Sequence, residues 1–123
     1  MAVSVEYANT ILEVLFSGAT IGLSTTTPNV NGGDITEPAA SAGYARVSAS
    51  QGAFKADGGT IRNTAYVYFP EATDSWGTVT HLCVYGSSNN ALRYFGAFTT
   101  PRLISANSVP LFRPGTLSVT MVD

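Results

Sequence analysis

The sequence predicts an all-β chain, an antiparallel β-sandwich or jelly roll of about eight strands preceded by one short helix. Three observations carry that expectation. The chain holds 12 Ser, 15 Thr, 12 Gly and 6 Pro, a make-up suited to short strands joined by many turns. Apolar residues alternate at period two in most segments after Gly18. Turn signals recur about every 8–12 residues, with no helical patterns between them.

The one helical pattern covers residues 5–17. Glu6, Asn9, Thr10, Glu13 and Ser17 recur at spacings of three and four, and Tyr7, Ala8, Ile11, Leu12, Val14, Leu15 and Phe16 fill the rest. Ser4 suits the N-cap, Glu6 the first turn and Gly18 the left-handed stop. The polar stripe is narrow, so most of this helix packs on the sheet or presses against another chain.

Strands follow from residue 19 onward. Residues 19–25 form the first, closed by Thr27-Pro28, and an irregular loop spans 29–42 with Asn31-Gly32-Gly33-Asp34 and Glu37-Pro38 inside it. A loop of that length is commonly functional or ordered by a partner. Tyr44, Arg46, Ser48 and Ser50 alternate with Ala45, Val47 and Ala49, which predicts a strand over 44–50, continued over 53–56 beyond Gly52. Asp57-Gly58-Gly59 marks a hairpin turn into a strand over 60–69, ended by Pro70. Strands over 78–85 and 91–99 flank the turn at 86–90. Two more are predicted over 102–112, broken near 107–110, and over 116–122. The whole chain, 1–123, reads as a single domain, with the helix at 5–17 and the sandwich at 19–123.

Charge is scarce. Charged residues are 11% of the chain, against about 25% in an average soluble protein. One Lys and five scattered Arg offer no basic face, so nucleic acid is not an expected partner. No apolar run is long enough for a membrane span, and the opening Met1-Ala2-Val3-Ser4-Val5-Glu6 does not read as a signal peptide. A surface so poor in charge suits a subunit covered by its neighbours.

No catalytic constellation emerges. Asp34, Glu37, Asp57 and Asp74 all sit in turns or connectors, where a carboxylate ordinarily bonds its own backbone. His81 is the only histidine, so a histidine metal site cannot form, and no serine stands in a nucleophile elbow. Cys83, the only cysteine, lies between Leu82 and Val84 as a buried, inert thiol. Gly32-Gly33 and Gly58-Gly59 open no helix and lack the Lys-Ser/Thr of a phosphate loop. Tyr66, Tyr68, Tyr85, Tyr94, Phe95 and Phe98 suit either a sugar-binding face or, preferably, cross-strand pairs. No cofactor, metal or enzymatic activity is expected.

Several stretches carry a resemblance. They are Ile21-Gly22-Leu23-Ser24-Thr25 before Pro28, Gly43-Tyr44-Ala45-Arg46, and Phe69-Pro70 through Trp76-Gly77-Thr78-Val79-Thr80-His81. The segment Gly96-Ala97-Phe98-Thr99-Thr100-Pro101 and the closing 117–123 complete them. In their order and spacing the chain resembles small bacteriophage virion proteins often labelled tail fibre proteins, and is similar to jelly-roll capsid cement (decoration) proteins. The resemblance implies a structural protein made in the host cytoplasm and placed on the virion. The expected role is cement, bound across capsomers on the capsid surface and stabilising the shell through added interface. The alternative is a tail fibre or tail-tip structural or receptor-binding module. Expected partners are the major capsid protein and further copies of the chain in a dimer or trimer. Expected contact residues are Tyr7, Ile11 and Leu15 on the helix and Asn31, Asp34 and Ile35 in the long loop. Arg102 and Arg113 join them as rim ion pairs. Packing on its own sandwich accounts for the helix equally well, and solvated surface accounts for the two arginines.

Overall fold

A computed structural model describes residues 3–86 and 90–121. Its helix, α1, runs Val5–Phe16, and Ser4 caps it by accepting a hydrogen bond from Tyr7 N at 3.3 Å. Among the described residues there are nine strands. They are β1 (Thr20–Ser24), β2 (Val47–Ser48), β3 (Lys55–Asp57), β4 (Thr60–Arg62), β5 (Val67–Tyr68), β6 (Gly77–Tyr85), β7 (Leu92–Ile104), β8 (Leu111–Phe112) and β9 (Ser118–Thr120). All pairings are antiparallel.

The mostly β architecture and the N-terminal helix match the expectation. Among the described residues the strands form three antiparallel sheets, ordered β2-β1-β6-β7, β3-β4-β9 and β5-β8, with no closed barrel, and this hydrogen bonding does not by itself make a jelly roll. One apolar core joins them. Leu12 and Phe16 of α1 meet Ile21 and Leu23 of β1, Ile61 of β4, Val67 of β5, Leu82 and Val84 of β6, and Phe112 of β8.

Three element boundaries departed from the pattern for identifiable reasons. The alternation over 60–69 continues, but the strand does not, because Asn63 is buried and bonded in four directions. Its N–H donates to Leu117 O, its Nδ2 to Ala65 O and Arg113 O, and its Oδ1 accepts from Leu117 N. The chain therefore leaves one sheet at β4 and enters another at β5. The expected strand over 44–50 keeps only β2, because Ala49–Gly52 winds into a 3₁₀ turn capped by Ser48 Oγ accepting from Ser50 N. Conversely, two expected strands merge into β7. Residues 98–101 bulge opposite Thr80, since Val79 pairs with Arg102 and His81 with Ala97. Pro101 is tolerated there because β7 is an edge strand. The turn over 86–90 and the end of the strand expected to reach 122 lie partly outside the described residues.

The long loop is ordered from within. Thr25 N donates to Thr36 O at 2.9 Å, Thr26 Oγ1 to Asp34 O at 2.7 Å and Asn29 N to Gly33 O at 3.0 Å. Asn29 Oδ1 accepts from the N–H groups of Asn31 and Gly33, and its Nδ2 donates to Asp34 Oδ2. The far end of the loop is pinned to the connector before β6. Trp76 Nε1 and Thr73 N both donate to Ala42 O, and the rings of Tyr44 and Trp76 meet edge to face at 5.3 Å.

Candidate functional site

The residues with chemistry to offer are dispersed and already engaged. Asp34 closes its own loop, and Asp74 Oδ1 accepts from Ser75 N. His81 is nearly buried, with Nδ1 hydrogen-bonded to Thr80 Oγ1 at 2.8 Å. Burial pushes the Cys83 thiol up, away from the thiolate a nucleophile needs. Among the described residues no three His, Cys, Asp or Glu side chains converge as metal ligands would.

A dense polar cluster fastens the long loop to the sheet. Arg46 grips Glu37 through two parallel bonds, Nε to Oε1 at 2.9 Å and Nη2 to Oε2 at 3.0 Å. Tyr44 Oη donates to Glu37 Oε1 at 2.6 Å and accepts from Leu23 N at 3.0 Å. The Arg46 guanidinium lies 3.6 Å from the centroid of the Tyr85 ring. Burial by itself would raise the Glu37 pKa, but the bonds from Arg46 and Tyr44 and the Arg46 charge outweigh it, and the carboxyl titrates below its ordinary range. Tyr44 moves the opposite way, raised by burial and then by the neighbouring carboxylate. Gly22 makes room for all this. A Cβ there would lie 2.7 Å from Tyr44 Oη and 2.8 Å from Glu37 Oε1.

Beside the cluster opens a cleft of about 480 Å³, walled by Asn31 and Ile35 of the loop, Tyr85 of β6 and Leu92 of β7. Of the three loop residues named from sequence, Asn31 and Ile35 line it, while Asp34 is turned to the loop's internal bonds.

A second surface was not expected from sequence. Over 109–113 exposure alternates strictly, with Val109, Leu111 and Arg113 outward and Pro110 and Phe112 inward. Tyr66 and Tyr68, each about half exposed, flank buried Val67 on the paired strand, and Tyr68 faces Leu111 in register. The result is an outward apolar and aromatic face on the β5-β8 sheet. Both edges of that sheet are blocked by side chains. Tyr68 N donates to Gln51 Oε1 at 2.7 Å, and Leu111 O accepts from Arg102 Nη1 at 2.7 Å. Blocking edge groups in this way discourages strand addition while leaving the face open. Arg102 also lies 4.4 Å from the Phe112 ring centroid. The six aromatics grouped from sequence do not share a face. Tyr66 and Tyr68 point out, Tyr85 is buried, Tyr94 and Phe98 pack on the core, and Phe95 approaches His81.

On α1, Tyr7 is exposed, whereas Ile11 is half-buried and Leu15 packs against the core. The eight contact residues named from sequence therefore lie on three separate surfaces: α1, the cleft loop and the surroundings of β8.

A model of the podophage GP4 fiber I protein, gp80, matches residues 2–120. The chain belongs to that family. No curated protein matches it. Membership in the fiber I family makes the chain a bacteriophage virion component of structural kind. Of the two roles weighed from sequence, it supports the fibre and lends nothing to the shell cement. What the sequence resemblance did capture is the broader class, a phage structural protein.

Proposed function

We propose that the protein is a structural part of a podophage fibre, working through the surfaces it presents to neighbouring chains and to no substrate. The family match over residues 2–120 carries this reading. The structure is consistent with it in two respects. Glu37, Arg46, Gln51 and Arg102 are engaged in holding loops and sheet edges, and outward apolar groups stand on α1 and the β5-β8 face, with Val30 and Leu103 exposed elsewhere. A fibre part has to keep a fixed shape and offer a few complementary patches, since interface energy concentrates in a small number of buried aromatic and apolar anchors. Tyr66, Tyr68 and Leu111 are groups of that kind.

Location tests the proposal. Gold-labelled antibodies raised against the purified chain should decorate the tail region of particles, and quantitative mass spectrometry should return a copy number on the scale of tail parts. Uniform decoration of the head, with a copy number on the scale of the major capsid protein, would restore the cement role.

A further inference from the structure

Of the asparagines in the chain, Asn31 alone is followed by glycine. That order matters chemically. A backbone nitrogen can attack the side-chain amide of the residue before it only if its own residue lets it approach, and glycine has no side chain to obstruct it. Asn31 and Gly32 are both exposed on the long loop, and a Cβ added to Gly32 would find only Leu92 Cβ, at 3.8 Å. The rest of the protein does not shield the pair.

Asn29 shapes the turn around it. Gly32 N donates to Asn29 O at 3.0 Å, closing a turn with asparagine in its first place and glycine in its last. Asn29 Oδ1 accepts from Asn31 N at 2.9 Å and from Gly33 N at 3.1 Å, and Asn29 Nδ2 donates to Asp34 Oδ2 at 3.0 Å. Asn31 contributes its backbone N–H to this network and keeps its side chain out of it. The Asn31 amide therefore stands in solvent, while the nitrogen that would attack it is tethered to Asn29 O. Exposed loop turns open locally at a small fraction of the global unfolding free energy.

The other described asparagines are less open to the same chemistry. Asn63 is buried, and Asn9 sits in α1 with its Oδ1 on Gly59 N. Asn107 is exposed, but Ser108 follows it, with its N–H on Ser105 O at 3.3 Å.

We propose that Asn31 is a site of spontaneous deamidation, the first asparagine of the folded chain to react, with the Asn29 bonds setting its pace. When the turn opens, Gly32 N attacks Asn31 Cγ. The new N–C bond closes a cyclic imide, the Cγ–Nδ2 bond breaks, and ammonia leaves with the proton given up by Gly32 N. Water then opens the imide. Addition at Cγ breaks its bond to Gly32 N and leaves an aspartate. Addition at the backbone carbonyl breaks that carbon's bond to Gly32 N and leaves an isoaspartate, through whose side chain the backbone now runs. Either product puts a carboxylate into the wall of the cleft that Glu37 and Arg46 also line, and adds one negative charge to a chain of formal charge −2. The isoaspartate also lengthens the main chain inside the turn and pulls Gly32 N away from Asn29 O. The loop thus changes charge and shape with age, without an enzyme and wherever in the virion the chain sits.

Ageing of the purified whole chain in mildly alkaline buffer tests this. Peptide mapping by tandem mass spectrometry should place the earliest amide-to-carboxyl mass gain at Asn31, about tenfold ahead of Asn107. Isoaspartate methyltransferase should label the same peptide. Asn31→Gln should remove the first acidic species on isoelectric focusing. Asn29→Ala, with its circular dichroism spectrum unchanged, should speed the reaction at Asn31 about tenfold, because two bonds that hold the turn are gone. The urea-unfolded wild-type chain supplies a second measure of that restraint and should also react faster at Asn31 than the folded chain. An Asn31 that stays intact while the unfolded chain converts would overturn the proposal, as would Asn107 or another asparagine reacting first. Equal rates in folded wild type, Asn29→Ala and unfolded chain would overturn the pacing role of Asn29.

Discussion

The long loop and α1, both read from sequence as segments a neighbour could cover, satisfy their own groups by different means. The loop, rich in Gly, Asn and Pro, reads as a segment awaiting a partner, yet its polar groups find one another and Glu37, Arg46 and Tyr44 bolt it to the sheet. The helix, regular and capped, reads equally as packed on its own sheet or pressed against another chain; its core side is buried, and Tyr7 and Val14 stay exposed. Dependence on neighbours follows from what a segment leaves unsatisfied after folding, and regularity is a poor guide to it. The loop ties its polar groups together internally and leaves Val30 outward; the helix leaves Tyr7 and Val14 outward.

The loop side of this contrast breaks most severely at Gly22. A methyl group there collides with Tyr44 Oη and Glu37 Oε1 at less than 3 Å. Tyr44 is buried and bonded on both sides of its hydroxyl, so it has no easy retreat. Gly22→Ala should cost about 2–3 kcal/mol, the scale of overpacking in a filled interior. Urea unfolding should show a lower midpoint at an unchanged slope. Amide exchange should quicken at Thr25, whose N–H is tied to Thr36 O across the loop.

Glu37→Gln tests the charge without altering the shape. The amide oxygen still accepts from Tyr44, but Arg46 loses its counter-charge while part-buried against Tyr85. About 1–2 kcal/mol should be lost, allowing for partial solvent screening of both groups. The dependence on pH fixes the sign. The folded-state pKa of Glu37 lies below its ordinary value of 4.5, so the folded chain binds this proton less readily than the unfolded chain. The stabilisation is complete above the unfolded value and is lost as pH falls through the lower folded value. The gap between wild type and Glu37→Gln should therefore be widest near neutral pH and close in acid. A gap that is constant from neutral pH into acid would remove the carboxylate from the explanation.

How far the sequence discloses these features depends on the range of the interactions behind them. The helix and its cap, the first strand and the hairpins at 57–60 and around β6-β7 are local in origin, and their residues announce them. The break at Asn63 is not local. Its partners Arg113 and Leu117 are some fifty residues away, and nothing beside it marks it as more than another polar strand residue. Arg102 was visible as a cation, but its placement on Leu111 O and the Phe112 ring depends on β7 passing behind β8. The outward face at Tyr66, Tyr68 and Leu111 was half legible. Val109-Pro110-Leu111-Phe112 is apolar throughout, so the sequence does not say which side faces out, and the pairing that sets Leu111 beside Tyr68 is long-range. Glu37 shows the same limit, since a carboxylate in a Pro-containing turn gives no sign of the arginine that claims it.

The helix side of the contrast predicts a small effect, and its smallness is the point. Tyr7 and Val14 contribute little to the folded monomer, because most of each side chain stays in water. Tyr7→Ser/Val14→Ser should shift the urea midpoint by no more than about 0.5 kcal/mol, the usual range for surface substitutions away from core and caps. Leu12→Ala, one turn away on the opposite face, should cost about 2–5 kcal/mol, because it opens a cavity beneath a fully buried residue. If the outward pair proved as costly as Leu12 in dilute monomer, the uncovered arc would belong to the chain's own core, and the contrast with the loop would collapse. If it proves nearly neutral, as expected, the monomer's core ends at the Ala8-Leu12-Phe16 side of α1, and Tyr7 and Val14 lie outside it.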